Sequence, residues 1–194
     1  MRILVLVFTL IIMQGSSAGQ DKVTKGAFGG VGLSAFKSGS GDGFLLRPTA
    51  GLFVNIPFVE DFGIRLEVLY SQRGEETPLR GTVMGYIDIP LLLNSRIKLS
   101  EAIGLDLRAF AGPQFGVLVS AEDRIGTTFT TDAYPGSSKS DFGILFGGGF
   151  AMDVGNGVMF LEGRFYLGTK ELILQSFGSP MLMRSVSVVS GFQF

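Results

Sequence analysis

Apolar and polar residues alternate with period two along most of this chain, over segments of about 9–13 residues punctuated by turn residues. In residues 63–72, Ile64, Leu66, Val68 and Tyr70 oppose Arg65, Glu67, Leu69 and Ser71. In 86–97, Ile87, Ile89, Leu91 and Leu93 oppose Tyr86, Asp88, Leu92, Asn94 and Arg96. In 104–119, Leu105, Leu107, Ala109, Ala111, Phe115 and Val117 oppose Asp106, Arg108, Phe110 and Gln114. The same holds for 141–154 (Phe142, Ile144, Phe146, Phe150 and Met152 against Asp141, Gly143, Gly147, Gly149 and Asp153). It holds again for 158–168 (Met159, Leu161, Phe165 and Leu167 against Glu162, Arg164 and Tyr166) and for 184–194 (Val186, Val188, Phe192 and Phe194 against Ser185, Ser187, Gly191 and Gln193). Two further strands are predicted at 26–36 and 45–56, for a total of eight.

The connections alternate too. Residues 57–62 and 98–103 are short links, and Asn156-Gly157 is a two-residue hairpin signal. Between them fall longer links at 37–44, 73–83, 121–140 and 169–183. Sequentially paired antiparallel strands would then carry all short turns at one end and all long loops at the other. Pro90 and Pro113 fall inside strand patterns, where proline cannot donate a ladder hydrogen bond, so bulges or kinks are predicted there.

Such strands could turn their apolar face inward, as a soluble lipocalin-like barrel, or outward to lipid around a polar lumen. Composition bears on the choice. The chain has 194 residues, mean hydropathy +0.40, 29 Gly and 18 Phe, yet 16 basic and 17 acidic residues. The charges recur near mid-strand on one face, and Gly143, Gly147, Gly149, Gly112, Gly116 and Gly191 share that face. Eight strands leave an interior just wide enough for side chains, so groups crowding around Arg and Glu need small neighbours. The chain also ends on Gly191-Phe192-Gln193-Phe194, an aromatic finish to a last strand. These points favour lipid. The predicted fold is all-β, an eight-stranded antiparallel up-and-down transmembrane β-barrel spanning residues 19–194.

Residues 1–18 read as a secretory signal. Arg2 precedes an apolar run over 3–13, and Ser16-Ser17-Ala18 sets small residues before a cleavage point between Ala18 and Gly19. The run is too short to span roughly 30 Å of hydrocarbon as a helix.

Several motifs in fixed order resemble the PorT-like outer-membrane β-barrel family. They are Leu66-Glu67-Val68-Leu69-Tyr70-Ser71-Gln72-Arg73-Gly74, Tyr86-Ile87-Asp88-Ile89-Pro90-Leu91-Leu92-Leu93, and Ala111-Gly112-Pro113-Gln114-Phe115-Gly116. Asp141-Phe142-Gly143 with the following Gly147–Gly149 run, Gly163-Arg164-Phe165-Tyr166-Leu167-Gly168 and the aromatic last strand complete the set. The resemblance implies an outer-membrane barrel of a Gram-negative bacterium with both termini in the periplasm. It also implies that the last strand, through Gly191, Phe192 and Phe194, is read by the barrel-assembly machinery. It implies no activity.

The chemistry is bounded by what is missing. With no His and no Cys, the chain has no Ser-His-Asp triad, no imidazole or thiolate metal site and no disulfide. A net charge of −1 lacks the basic stripe of a nucleic-acid binder. Gly30-x-Gly32-x-x-Ala35 is followed by Lys37-Ser-Gly-Ser-Gly-Asp-Gly43, a loop where a dinucleotide fingerprint requires a helix. No catalytic residue, cofactor or metal site is predicted; the carboxylates of 121–140 lack a calcium-loop spacing.

The candidate site is the inward charge set Arg65, Glu67, Asp88, Asp106, Arg108, Glu162 and Arg164, expected to pair between neighbouring strands. It reads either as a structural salt-bridge plug or as a selective polar path, and the narrow lumen favours the plug. In the link 169–183, Leu172, Ile173, Leu174 and Phe177 are either a strand extension or a docking patch. The predicted role is structural, adhesive or an interaction platform of the envelope, with the lipid bilayer and envelope proteins as partners. A narrow porin-like pore or a component of an outer-membrane secretion assembly is the alternative.

Overall fold

The computed structural model describes residues 23–36, 45–76, 80–125, 128–131, 140–169, 172–173, 180–181 and 183–194. Among them every regular element is a strand: β1 (Thr24–Phe36), β2 (Leu45–Val59), β3 (Phe62–Glu76), β4 (Arg80–Ser100), β5 (Leu105–Ile125), β6 (Thr128–Thr131), β7 (Ser140–Val154), β8 (Gly157–Gly168), β9 (Leu172–Ile173), β10 (Pro180–Met181) and β11 (Met183–Gln193). Eight of these are staves of one closed antiparallel ring. Neighbours run β1-β2-β3-β4-β5-β7-β8-β11, and β11 returns to β1 from Gly26↔Gln193 to Phe36↔Met183. Backbone bonds between Lys25 and Phe194 finish the seam, with Lys25 Nζ 5.9 Å from the Phe194 ring centroid. Closure leaves the eight staves without an unpaired edge, which is what lets a sheet sit in hydrocarbon.

The outer face is an apolar belt. Leu52, Ile64, Leu93, Phe115, Ile144, Leu161 and Val188 all point outward and are exposed, while Arg65, Glu67, Asp88 and Glu162 are buried inside. A soluble barrel would invert this distribution, so the apolar face is the lipid-facing one. On the outward side of β2, Val54 is buried while Leu46, Leu52, Ile56 and Phe58 are exposed.

Three tight connections share one end: Glu60–Asp61, the turn from Glu101 to Gly104, and Gly155-Asn156. The last corrects the hairpin predicted at Asn156-Gly157. Val154 pairs with Gly157, so the two loop residues are Gly155 and Asn156, and Gly155 takes the left-handed conformation (φ 59°) that glycine adopts without strain.

At the other end the staves run further than periodicity suggested. β3 continues to Glu76, β4 starts at Arg80 and β5 reaches Ile125, so most of 73–83 and the start of 121–140 are ladder. β6 adds a four-residue flap to the end of β5. Leu172–Ile173 pairs with Pro180–Met181 as a separate small ribbon.

The prolines behave differently from expectation. Register shifts fall at Pro57/Val59, Gly85/Tyr86 and Lys98/Ser100, not at Pro90 or Pro113. Around Pro90 the β3–β4 pairing lapses between Leu66↔Leu91 and Leu69↔Asp88 and resumes in the same register. A missing donor therefore removes bonds locally while the partners on either side hold alignment.

Candidate functional site

The lumen is built by the inward positions of opposite staves. β3 presents Arg65, Glu67, Leu69, Ser71 and Arg73 at every second residue, and β8 presents Phe160, Glu162, Arg164 and Tyr166. In the ring, β3 and β8 are separated by three staves on either side, so they face each other across the full diameter. Their complementary triplets, Arg-x-Glu on one and Glu-x-Arg on the other, meet as an ion quartet. Arg65 Nη2 donates to Glu162 Oε1 at 2.6 Å and Arg164 Nη1 to Glu67 Oε2 at 2.7 Å. Arg164 Nη2 also donates to Glu162 Oε2 at 2.7 Å, and Arg65 Nη1 lies 3.4 Å from Glu67 Oε1. The pairs were expected between neighbouring strands; the bridges that span the lumen are diametric. Two positive and two negative groups cancel, which is how ionised side chains persist at 0–4% exposure.

Aromatic rings pack around the quartet. The Arg65 guanidinium lies 4.8 Å from the Phe53 centroid, and Arg164 lies 4.2 Å from that of Phe28 and 5.5 Å from that of Phe110, cation–π contacts in a desolvated setting. Four of the inward glycines sit against ring edges as well as the neighbouring strand's backbone. A Cβ on Gly26 would strike Phe53, one on Gly147 would strike Phe110, one on Gly191 would strike Phe160 and one on Gly143 would strike Tyr166.

A second cluster lies toward the long-loop end. Arg73 pairs with Asp88 and, at 2.8 Å, with Asp141. Ser71 Oγ donates to Asp88 Oδ2 at 2.6 Å and Tyr166 Oη to Asp141 Oδ2 at 2.7 Å. Arg73 is also stacked between Tyr166 (4.4 Å) and Tyr86 (4.9 Å). Above it Met84, Tyr86 and Met183 form an apolar layer with Leu118 and Ala121. Removing the phenol hydroxyl as Tyr166→Phe is expected to cost about 1.5–3 kcal/mol, the worth of a hydrogen bond to a charged group. A urea titration of the folded barrel in detergent checks it.

The remaining candidates make no ion pair with either cluster, although Arg108 lies 5.9 Å from the Phe160 ring centroid. Asp106 comes no closer than 3.8 Å to Arg96, in a pair that is partly solvated. Arg108 donates to the amide Gln193 Oε1 at 2.9 Å, and Gln193 in turn to Thr24. With Asn55, Asn94 and Arg96 they border a cavity of about 340 Å³ at the short-turn end. Asp88 belongs with Arg73, so the seven predicted charges divide among three places.

Sequence reasoning missed Arg73, Ser71, Asp141 and Tyr166 as one unit because Arg73 was assigned to a link. The signal was present, since Arg73 continues the odd-numbered inward series of β3. In the last strand, Gly191 points inward beneath Phe160, while Phe192 and Phe194 are exposed on the outer face. Ala18, Gly19, Leu174 and Phe177 lie outside the described residues.

Comparison with known proteins agrees with this architecture. The family model for "outer membrane protein beta-barrel domain" matches residues 15–173. Among solved structures, Neisserial surface protein A superposes with TM-score 0.56 at 15% identity, covering 90% of this chain and 97% of that one. Ail, the attachment invasion locus protein of Yersinia pestis, in complex with the heparin analogue sucrose octasulfate, superposes with TM-score 0.51 at 15% identity, covering 90% and 100%. At these identities the likeness is one of fold. No curated protein sequence matches the chain.

Proposed function

The chain belongs to the outer membrane protein beta-barrel domain family, and from that premise we propose that it is a closed barrel that holds a loop platform at the cell surface, with no open channel through its centre. The observation that carries this reading is the ion quartet, which joins diametrically opposite staves and so crosses the lumen at mid-height. Eight staves leave no bypass once four long charged side chains and Phe28, Phe53, Phe110 and Phe160 occupy the interior. A barrel of this kind acts through what it displays, and the long links between staves are the segments available for display.

We place the chain in the PorT-like branch of the family. Residues 1–18 act as a signal removed before Gly19. The short turns and both ends of the mature chain face the periplasm, and Gly191, Phe192 and Phe194 address the last strand to the barrel-assembly machinery. The absence of His argues against a barrel enzyme, since hydrolytic chemistry in a lumen needs a base beside a nucleophile.

The narrow-pore alternative takes its support from the cavity of about 340 Å³ at the short-turn end. It would need a path past the quartet.

The platform role is tested by photo-cross-linking in intact cells from Leu172, Ile173, Leu174 and Phe177, with positions in the Glu60–Asp61 turn as the comparison. Discrete protein adducts specific to the loop positions are expected. Their absence from every loop position would count against a docking role.

A further inference from the structure

Asp88, Gly116 and Asp141 are direct ladder partners, an inward-facing row across β4, β5 and β7. Gly116 offers no side chain, so the two carboxylates flank bare backbone. A Cβ there would touch Asp88 Oδ1 and lie 3.6 Å from Asp141 Cβ. Each carboxylate gives only one oxygen to neighbouring side chains. Asp88 Oδ2 takes Ser71 and Arg73, and Asp141 Oδ2 takes Arg73 and Tyr166. Both Oδ1 atoms are buried and have no hydrogen-bond partner.

The charges do not cancel as they do in the quartet, because two carboxylates share the single guanidinium of Arg73. Arg164 borders the same small cavity but is held by Glu67 and Glu162. Arg47, on the β2 wall of that cavity, gives neither Oδ1 a hydrogen bond. A third group stands nearby. Gln114 is one inward position along β5 from Gly116 and only 3% exposed. It lines with Asp88 and Arg73 a cavity of about 40 Å³.

We propose that this row is a binding site for one monovalent alkali cation, Na⁺ or K⁺, held by Asp88 Oδ1, Asp141 Oδ1 and the Gln114 amide oxygen. Oxygen donors of this kind suit hard cations. A buried carboxylate oxygen without a partner is costly, and a cation contacts both orphaned atoms at once. A proton shared between the two carboxylates would also offset the single excess charge, and the infrared band separates it from a metal cation. A divalent ion would reverse the charge imbalance and would find too few oxygens. The site is independent of the platform reading and holds whether or not the barrel conducts.

The test uses the purified full barrel in detergent. Its thermal midpoint, read from the shift in gel mobility between folded and boiled forms, is compared in NaCl, KCl and N-methyl-D-glucamine chloride at equal ionic strength. An alkali-specific, saturable rise of about 2–4 °C is expected. The rise should vanish in Asp141→Asn and in Gln114→Leu. Equal wild-type midpoints in all three salts would overturn the proposal. If the variants do not fold, crystals of the wild type soaked in Tl⁺ decide whether a measured rise belongs here. An anomalous peak between Asp88 and Asp141 supports the site, and peaks only elsewhere overturn it. A protonated-carboxyl infrared band at neutral pH would also overturn it, by showing that a proton holds the place.

Discussion

Glu162→Gln is expected to lower the unfolding free energy of the barrel by about 3–5 kcal/mol, because it leaves a buried guanidinium without its counter-charge. Glu162 takes hydrogen bonds from both arginines of the quartet, three from Arg65 and one from Arg164. Losing its charge leaves Arg65 with only the 3.4 Å contact to Glu67, and Glu67 is already bonded to Arg164. The residue is 0% exposed, so water cannot take over. A balanced replacement separates charge from volume. Arg65→Met combined with Glu162→Gln keeps one positive and one negative group in contact, and should recover most of the loss, since an apolar substitute for a complete buried pair is often neutral. Urea unfolding in detergent or lipid, followed by the loss of β signal, measures both. If the single variant fell within about 0.5 kcal/mol of wild type, as surface substitutions do, the quartet would be solvated and the packed lumen wrong.

Val188→Arg is expected to cost about 2–4 kcal/mol, the penalty for a cation on the lipid face near the midplane of an outer-membrane barrel. Val188 lies in the middle of β11, half exposed on the outer face, and pairs with Val31 on one side and Gly163 on the other. On a water-facing surface the same change would be nearly neutral. The discriminating comparison is folding efficiency into lipid vesicles against folding into detergent alone. The loss should be larger in vesicles, where the hydrocarbon cannot rearrange around the charge as a micelle can.

Much of this architecture was legible because strand alternation is strict. The face assignments of Arg65, Glu67, Asp88, Glu162 and Arg164 follow from period two alone, and a barrel buries one whole face of every stave. Strand ends were less legible. Beyond the bilayer a stave can be polar on both faces, so Arg73, Glu75 and Glu76 look like loop although they continue a ladder. The interior aromatics Phe28, Phe53 and Phe160 were passed over for a related reason. Apolar residues were assigned outward, yet a lumen this narrow needs bulk as well as charge, and the parity of these three already places them inside.

The pairing scheme needed one more step than periodicity supplies. Alternation says which residues enter the lumen but not which of them meet. Counting staves does: the third and seventh of eight are opposite, and they are the two that carry Arg-x-Glu and Glu-x-Arg. The role of glycine also differed. Space was expected around the ion pairs, whereas a Cβ on Gly26, Gly147 or Gly191 would meet a neighbouring strand's carbonyl oxygen and the edge of a phenylalanine ring. Gly116, beside Asp88, is the exception, and it is where the charges fail to balance.

A lumen closed by salt bridges that join opposite staves is tested most directly by planar-bilayer recording of the purified protein. Wild-type barrels reconstituted at many copies per bilayer are expected to produce no stable ohmic steps. Reproducible steps of uniform conductance from folded wild-type protein would contradict it.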